Sequence, residues 1–320
     1  MLLLSDADIE GFLTMREAID AVERAFGEYA KGALLMPPRS TLMLDKFGGS
    51  VSLMPSYIEE MGALATKIIS IYPRNPEHGL PTTAAWIIVN DPSTGLLEAL
   101  MDATYLTAIR TGAVTGVAAH YLAPKNSRVA AIIGCGVQGS TQAWAVTETC
   151  KLDTIHIFDI SGERMRKFSD EMEAKLGVDI VAAESSEEAV SDADVVVTAT
   201  TSREPVIRRR WLGDEVHVSA IGSFYPDHRE LDTEIVKEAK VVVDSREAVL
   251  EEAGDLIIPI KEGAIAEEHI YAELGDLVIG RNEGRTESDG LTVFKSVGLA
   301  IQDSSVASLV LKKWREAQKN

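Results

Sequence analysis

VAAIIGCGVQGSTQAW, residues 129–144, is a run of β-formers that breaks into a glycine-rich turn and then into a helical pattern. Gly134, Gly136 and Gly139 match G-x-G-x-x-G. The first glycine allows a tight turn, the second lets backbone approach a pyrophosphate, and the third lets helix and strand pack closely. Amides at the helix N-terminus then face the phosphates. The string alone is weak, but its context is right: TIHIFD follows, a second strand ending in the acid Asp159. That carboxylate suits the ribose hydroxyls of NAD and repels the extra phosphate of NADP. Ile160 and Ser161 after it supply no cation, although Arg164 or Arg166 can swing in and admit NADP.

Outward from this loop, the chain alternates. Strand-like DIVAAES, DVVVTAT, HVSAIG, KVVVDS and TVFKS are separated by helical stretches such as EIVKEA, and several are continuous apolar runs. That pattern predicts a doubly wound parallel sheet covered on both faces, an α/β Rossmann-type domain. Yet the loop begins only after more than a hundred residues. The earlier segment is different. Thr14 and Glu17 form a capping box, with Met15, Ile19, Val22 and Phe26 at helical spacing behind it. Then STLMLDK, GSVSLMPSYI, ALATKIISIYP, TTAAWIIVND and LLEALMD follow without helices between them, and NDPSTG (90–95) reads as a hairpin turn. The prediction is an antiparallel meander. From about residue 103, ATYLTAIRTGAVTGVAAHYLA is helical until Pro124, and the final helix LAIQDSSVASLVLKKW (299–314) is expected to cross back to the first domain.

Composition narrows the function classes. The 320 residues carry 50 acidic and 31 basic side chains, a net charge of −19 that repels nucleic acid and anionic membranes. No apolar run approaches the ~18 residues of a membrane span, and the N-terminus lacks the basic start of a signal peptide. Two cysteines, Cys135 and Cys150, make no disulfide framework and fit a cytoplasmic protein. In so acidic a chain an anionic substrate needs deliberately placed cations. Three stand out: Arg39 after MPP, Lys67 among apolar residues on a strand, and Arg110 in LTAIRTGA. Lys67 must either snorkel out or sit beside an anion. A guanidinium suits a carboxylate bidentately. Taken singly, each of these is more often a surface charge.

A resemblance ties them together. RTGA after MDATYLTAI, IGCGVQG, ELGDLVIG and TVFKSVGLAIQD resemble the ornithine cyclodeaminase/mu-crystallin family nearly end to end. The resemblance implies a Rossmann NAD-binding domain, residues 117–299, inserted in an α+β substrate-binding and dimerisation domain made of 1–116 and 300–320. It implies that Arg39, Lys67 and Arg110 bind a substrate carboxylate and transfer a proton. It places Thr82 near the nicotinamide. It assigns cofactor contacts to Arg110, Thr111, Gly134, Gly136, Val137, Gln138, Gly139, Asp159, Ile160, Ser161, Thr200, Ser223 and Ser296. A homodimer is expected on the same ground, and also because an uncovered sheet is a liability.

Two departures direct the activity. Cyclodeaminases and alanine dehydrogenase-like members carry an aspartate where AIGSFYPDHREL has Phe224, and cyclodeaminases carry a glutamate where this chain has Ser52 before LMP. Each lost charge-assisted hydrogen bond to a substrate ammonium is worth ~1.5–3 kcal/mol. IGSFYPDHREL is similar to the ketimine-reductase branch. The expected activity is NAD(P)H-dependent reduction of a small cyclic imino acid, Δ1-pyrroline-2-carboxylate to L-proline. Alanine dehydrogenase (pyruvate plus ammonia), ornithine cyclodeaminase and a mu-crystallin-like binding protein are the alternatives.

Other residues carry less. The six histidines are scattered without zinc spacing, and His228 reads as a solvent-exposed turn residue. Cys135 sits at a helix N-terminus, which can lower a thiol pKa, yet reads as packing. RRRW (208–211) is a solvated corner, and EEAGDLIIPIKEG is a helix leading into a loop with no chemistry assigned.

Overall fold

The computed structural model of the chain describes residues 1–319 and divides into two units. The first comprises Met1–Arg110 and the chain from Leu299 onward. Its elements are β1 (Leu2–Leu4), α1 (Asp6–Phe12), α2 (Met15–Lys31), β2 (Leu34–Leu35), β3 (Ser40–Leu44), β4 (Gly49–Ile58), β5 (Ala63–Ile71), β6 (Thr83–Asn90), β7 (Leu97–Asp102) and the start of α3 (Thr104–Leu122). The sheet order is β1-β7-β6-β5-β4-β2, with β3 also on β4. β3 to β7 pair antiparallel as expected. The edge departs from a pure meander: MLLL, read only as a short apolar start, forms β1 and pairs parallel with β7.

Side-chain alternation sorts this sheet into two faces. Met54, Lys67, Ile87 and Met101 are in register across four strands and all buried. Leu53, Ile68 and Trp86 form the adjacent row on the other face. The inner face is covered by the C-terminal helix, which lies on β4, β5 and β6 with α2 packed against it. The Thr14–Glu17 capping box is present, and Glu17 also accepts from Lys313 Nζ at 2.6 Å, tying α2 to the C-terminal helix.

The second unit, Thr111–Gly298, begins within α3. It contains β8 (Val129–Ile133), α4 (Val137–Thr149), β9 (Thr154–Phe158), α5 (Gly162–Leu176), β10 (Asp179–Ala182), α6 (Ser186–Val190), β11 (Val195–Thr198), β12 (Val216–Ala220), α7 (Thr233–Glu238), β13 (Lys240–Val243), α8 (Arg246–Glu252), α9 (Gly254–Lys261), β14 (Ile270–Glu273), α10 (Leu274–Val278) and β15 (Leu291–Lys295). α11 (Ala300–Ala317) is the C-terminal helix. All eight strands are parallel, in the order β10-β9-β8-β11-β12-β15-β13-β14. The valines of β11 and β13 are buried on both faces, as continuous apolar runs demand.

The chain leaves β8 toward β9 on one side and returns to β11 on the other. That reversal opens a crevice at the carboxyl ends of β8 and β11, the place where doubly wound sheets bind ligands. β15, last in sequence, inserts between β12 and β13, an order that apolar runs cannot reveal. EEAGDLIIPIKEG is not one helix but two, α8 and α9, broken at Ala253. Among the described residues no helix is long and apolar enough to cross a membrane.

Candidate functional site

In the first unit, β5 delivers Lys67 to the inner face of the sheet and α3 delivers Arg110. Both meet Asp303, from the first turn of α11. Lys67 Nζ is 2.7 Å from Asp303 Oδ2 and Arg110 Nε is 2.9 Å from Oδ1. The side chains of Lys67 and Asp303 are 0% and 1% exposed. Arg110 Nη1 also donates to Gln302 Oε1. The protein thus holds Arg110 at Nε, through Asp303, and at Nη1, through Gln302. Arg39, half-buried between β2 and β3, lies close enough for its charge to act on Lys67. Burial and the charges of Arg110 and Arg39 pull the Lys67 ammonium down to about 7, against the opposing pull of Asp303. Of the two options for a strand lysine, the structure shows the second: the group sits beside an anion, and that anion belongs to the protein.

Thr82 is not part of this cluster. Its carbonyl accepts from Tyr72 N and closes the β5–β6 connection. It lies five residues before Ile87, the register partner of Lys67, roughly 16 Å along the strand. Ser52 is hydrogen-bonded to Thr41 Oγ1 at 2.8 Å, a neutral pair where a glutamate was the alternative.

In the second unit the glycine loop has the shape its motif demands. Gly134 adopts φ +106°, and a side chain there would meet the Ala199 carbonyl at 2.6 Å. A side chain on Gly139 would meet the Gly134 carbonyl at 2.0 Å, so α4 packs directly on the turn. Gly136 is different: open space surrounds it, and as N-cap it offers no side chain to the first amides of α4. Val137 and Gln138 follow in that first turn, and Val137 is 73% exposed. Gln142, one turn on, donates to the Thr111 carbonyl at 3.1 Å. Asp159 ends β9 and already accepts from Cys135 N and Ser161 N, each at 2.9 Å. A carboxylate has about four acceptor sites, which leaves two for ribose hydroxyls. Ile160 is 97% exposed beside it. Arg164 Nη1 stands 4.0 Å from Asp159 Oδ2. Burial, with the Asp159 charge alongside, pushes the Cys135 thiol up to about 12, so the helix N-terminus does not activate it.

The remaining loops at the carboxyl end of this sheet are pinned by buried charges. Glu230 accepts from Thr200 N at 2.7 Å and Thr200 Oγ1 at 2.8 Å through Oε1, and from Gly222 N at 2.7 Å through Oε2. Asp255 Oδ1 accepts from the amides of Glu230 and Leu231. Lys295 Nζ, fully buried at the end of β15, pairs with Asp255 Oδ2 at 2.7 Å and donates to the Ser223 carbonyl at 2.6 Å. Asp244 Oδ2 accepts from Ser296 Oγ at 2.6 Å and from the amides of Val297 and Gly298. Thr200, Ser223 and Ser296 thus each sit on a loop fixed by a buried carboxylate or lysine. Phe224 packs on Tyr225 at 4.7 Å between ring centres. His228 is not a solvated turn residue: its side chain is 16% exposed, bonded to Asp227 and stacked near Tyr225.

Asp303, Glu230, Asp255, Asp244 and Lys295 were not singled out from sequence. One signal was available. Lys295 and Asp303 are the only charges in residues 291–311, an otherwise apolar and small-residue stretch, and an isolated charge in a buried segment requires a partner.

The profile of the ornithine cyclodeaminase/mu-crystallin family matches residues 1–318. An alanine dehydrogenase of Archaeoglobus fulgidus is 40% identical over 309 residues, covering 97% of this chain and 94% of the relative. Among solved structures, Thermococcus litoralis Δ1-pyrroline-2-carboxylate reductase in complex with NADH and L-proline superposes with a TM-score of 0.97 at 47% identity, covering 99% of this chain and 98% of that one. An archaeal alanine dehydrogenase dimer with bound NAD superposes at 0.93 and 37% identity, covering 99% and 97%.

Proposed function

From the membership of this chain in the ornithine cyclodeaminase/mu-crystallin family, we propose that it is an NADH-dependent reductase of small cyclic imino acids, converting Δ1-pyrroline-2-carboxylate to L-proline. The observation that carries this reading is the buried ion cluster. Protonated Lys67 and Arg110 stand against one internal carboxylate, Asp303, so the cluster keeps positive charge for an organic acid. The 47% identity with the reductase of T. litoralis supports the same substrate class.

The nucleotide fit rests on the second unit. Gly134, Gly136, Val137, Gln138 and Gly139 would hold the pyrophosphate on open backbone, and Asp159, Ile160 and Ser161 the adenosine. Thr200, Ser223 and Ser296 would hold the nicotinamide half, with Thr82, Arg110 and Thr111 completing the contacts. The Asp159 carboxylate favours NADH over NADPH. Bound NADH supplies a hydride to the imine carbon.

Arg39 and Arg110 bind the substrate carboxylate. Lys67 gives its Nζ proton to the ring nitrogen as the C=N pair collapses onto it, and recovers one from solvent. Its descent to about 7 suits proton exchange at neutral pH. Phe224 puts no anion at its own position in the loop after β12, so a substrate ammonium finds no carboxylate there. Hydride transfer requires the carbon about 3–3.5 Å from its donor, which an organic acid gripped by fixed cations satisfies better than a freely rotating one.

Alanine dehydrogenase is the second reading, favoured by the 40% identity to the A. fulgidus enzyme and opposed by Phe224. Following NADH absorbance with Δ1-pyrroline-2-carboxylate, and separately with pyruvate and ammonia, separates the two. Oxidation with the imine carries the proposal; oxidation with pyruvate and ammonia alone rejects it.

We further propose a cytoplasmic homodimer. Leu42, Leu53 and Trp86 leave the outer face of the first sheet apolar and exposed, a surface that a second copy would cover. The two free cysteines fit a reducing compartment.

A further inference from the structure

We propose that Asp303 is a positioning residue for the proton step: it keeps the Lys67 ammonium charged and aimed, and sets Arg110 in the same grip. This rests on the reductase reading above. The geometry comes from four elements. β5 contributes Lys67, α3 contributes Arg110, the segment between β2 and β3 contributes Arg39, and α11 contributes Asp303 with Gln302. The strands flanking Lys67 place Met54 and Ile87 in register with it and bring no charge. Among the described residues, Asp303 is therefore the one carboxylate within ion-pair distance of Lys67 or Arg110.

Without that carboxylate, Lys67 and Arg110 would stand together out of water with no counter-charge, and the lysine would be the group to yield its proton, because a guanidinium holds its own. Burial and the two arginines already draw Lys67 down, with Asp303 the opposing charge. Asp303 lies in the first turn of α11, where the positive end of the helix dipole meets its carboxylate. Its neighbour Gln302 accepts from both Arg110 Nη1 and the Leu299 amide, so the start of α11 holds the guanidinium at two nitrogens. In sequence, the pair QD does this work from one helical turn.

The test compares wild type with Asp303→Asn and Asp303→Glu. Carbon-13 lysine NMR, with the Lys67 resonance identified from its loss in Lys67→Arg, reads the titration directly and needs no turnover. In Asp303→Asn the Lys67 midpoint should move to lower pH by about one pH unit or more. The alkaline fall of kcat/KM for Δ1-pyrroline-2-carboxylate should move with it, with a larger loss in kcat than in NADH affinity. Asp303→Glu should restore most of both. A folded Asp303→Asn protein that binds NADH normally and keeps the wild-type Lys67 midpoint overturns the inference. Should Asp303→Asn not fold, the wild-type Asp303 carboxyl carbon serves instead: its shift should report the Lys67 midpoint, and silence there overturns the coupling. A Lys67 midpoint that follows Asp303, in a protein inert toward the imine, supports the coupling and rejects the reductase reading.

Discussion

At Gly139 a single methyl group has nowhere to go, since it would fall 2.0 Å from the Gly134 carbonyl oxygen. Overpacking of that kind costs about 1–3 kcal/mol, so Gly139→Ala should weaken NADH binding roughly 5–150-fold; fluorescence titration of NADH measures it. At Asp159 the issue is charge. Asp159→Ser removes a charge-assisted acceptor worth ~1.5–3 kcal/mol and the repulsion of a ribose phosphate. NADH affinity should fall about 10–150-fold while NADPH affinity falls less or rises; paired titrations with the two nucleotides decide. At Lys67 the issue is a proton. A lysine held near 7 is charged below that pH and neutral above it, so a proton donor there makes kcat/KM fall as pH rises through about 7. A profile of kcat/KM against pH that stays flat to pH 9 would remove Lys67 from that role. These residues were legible to different degrees. Gly134 and Gly139 declare themselves because only glycine fits; Lys67 stands out by being charged on a strand whose neighbours are apolar. Asp303 is marked only by its isolation among apolar and small residues, which calls for a partner but does not say that the partner is Lys67 or Arg110.

Among the elements, β15 and α9 show how a strand end becomes a fixed loop. Lys295 leaves β15 fully buried and reaches Asp255 at the start of α9 and the Ser223 carbonyl after β12. Lys295→Met leaves Asp255 buried without its counter-ion, which costs about 3–5 kcal/mol. Urea unfolding should show that loss, and NADH binding should weaken too, because the Ser223 loop loses its anchor. Intact binding in a destabilised protein would mean that the loop holds itself. The helices and strands themselves were largely readable. The Thr14–Glu17 box, the hairpin at Asp91–Gly95 and Pro124 after α3 are local signals, each complete within a few residues. The place of β15 between β12 and β13 and the docking of β1 beside β7 were not, since both depend on register partners 52 or more residues away in the chain.

For the whole molecule the decisive surface is the outer face of the first sheet. Trp86 is 42% exposed and Leu53 40%, side by side across β4, β5 and β6 with Ile68 between them. Placing two carboxylates there, Leu53→Glu with Trp86→Glu, should shift a dimer to monomers in sedimentation velocity; a wild-type protein that already sediments as a monomer would end the dimer proposal. The amino-acid sequence alone determined the two kinds of sheet, through period-two alternation in one segment and continuous apolar strands in the other, and it marked the nucleotide turn, because those signals lie in neighbouring residues. Tertiary structure alone decided which charges meet. Lys67, Arg110 and Asp303 are separated by 43 and 193 positions, and only folding removes them from water together, where an unpaired charge is too costly to persist.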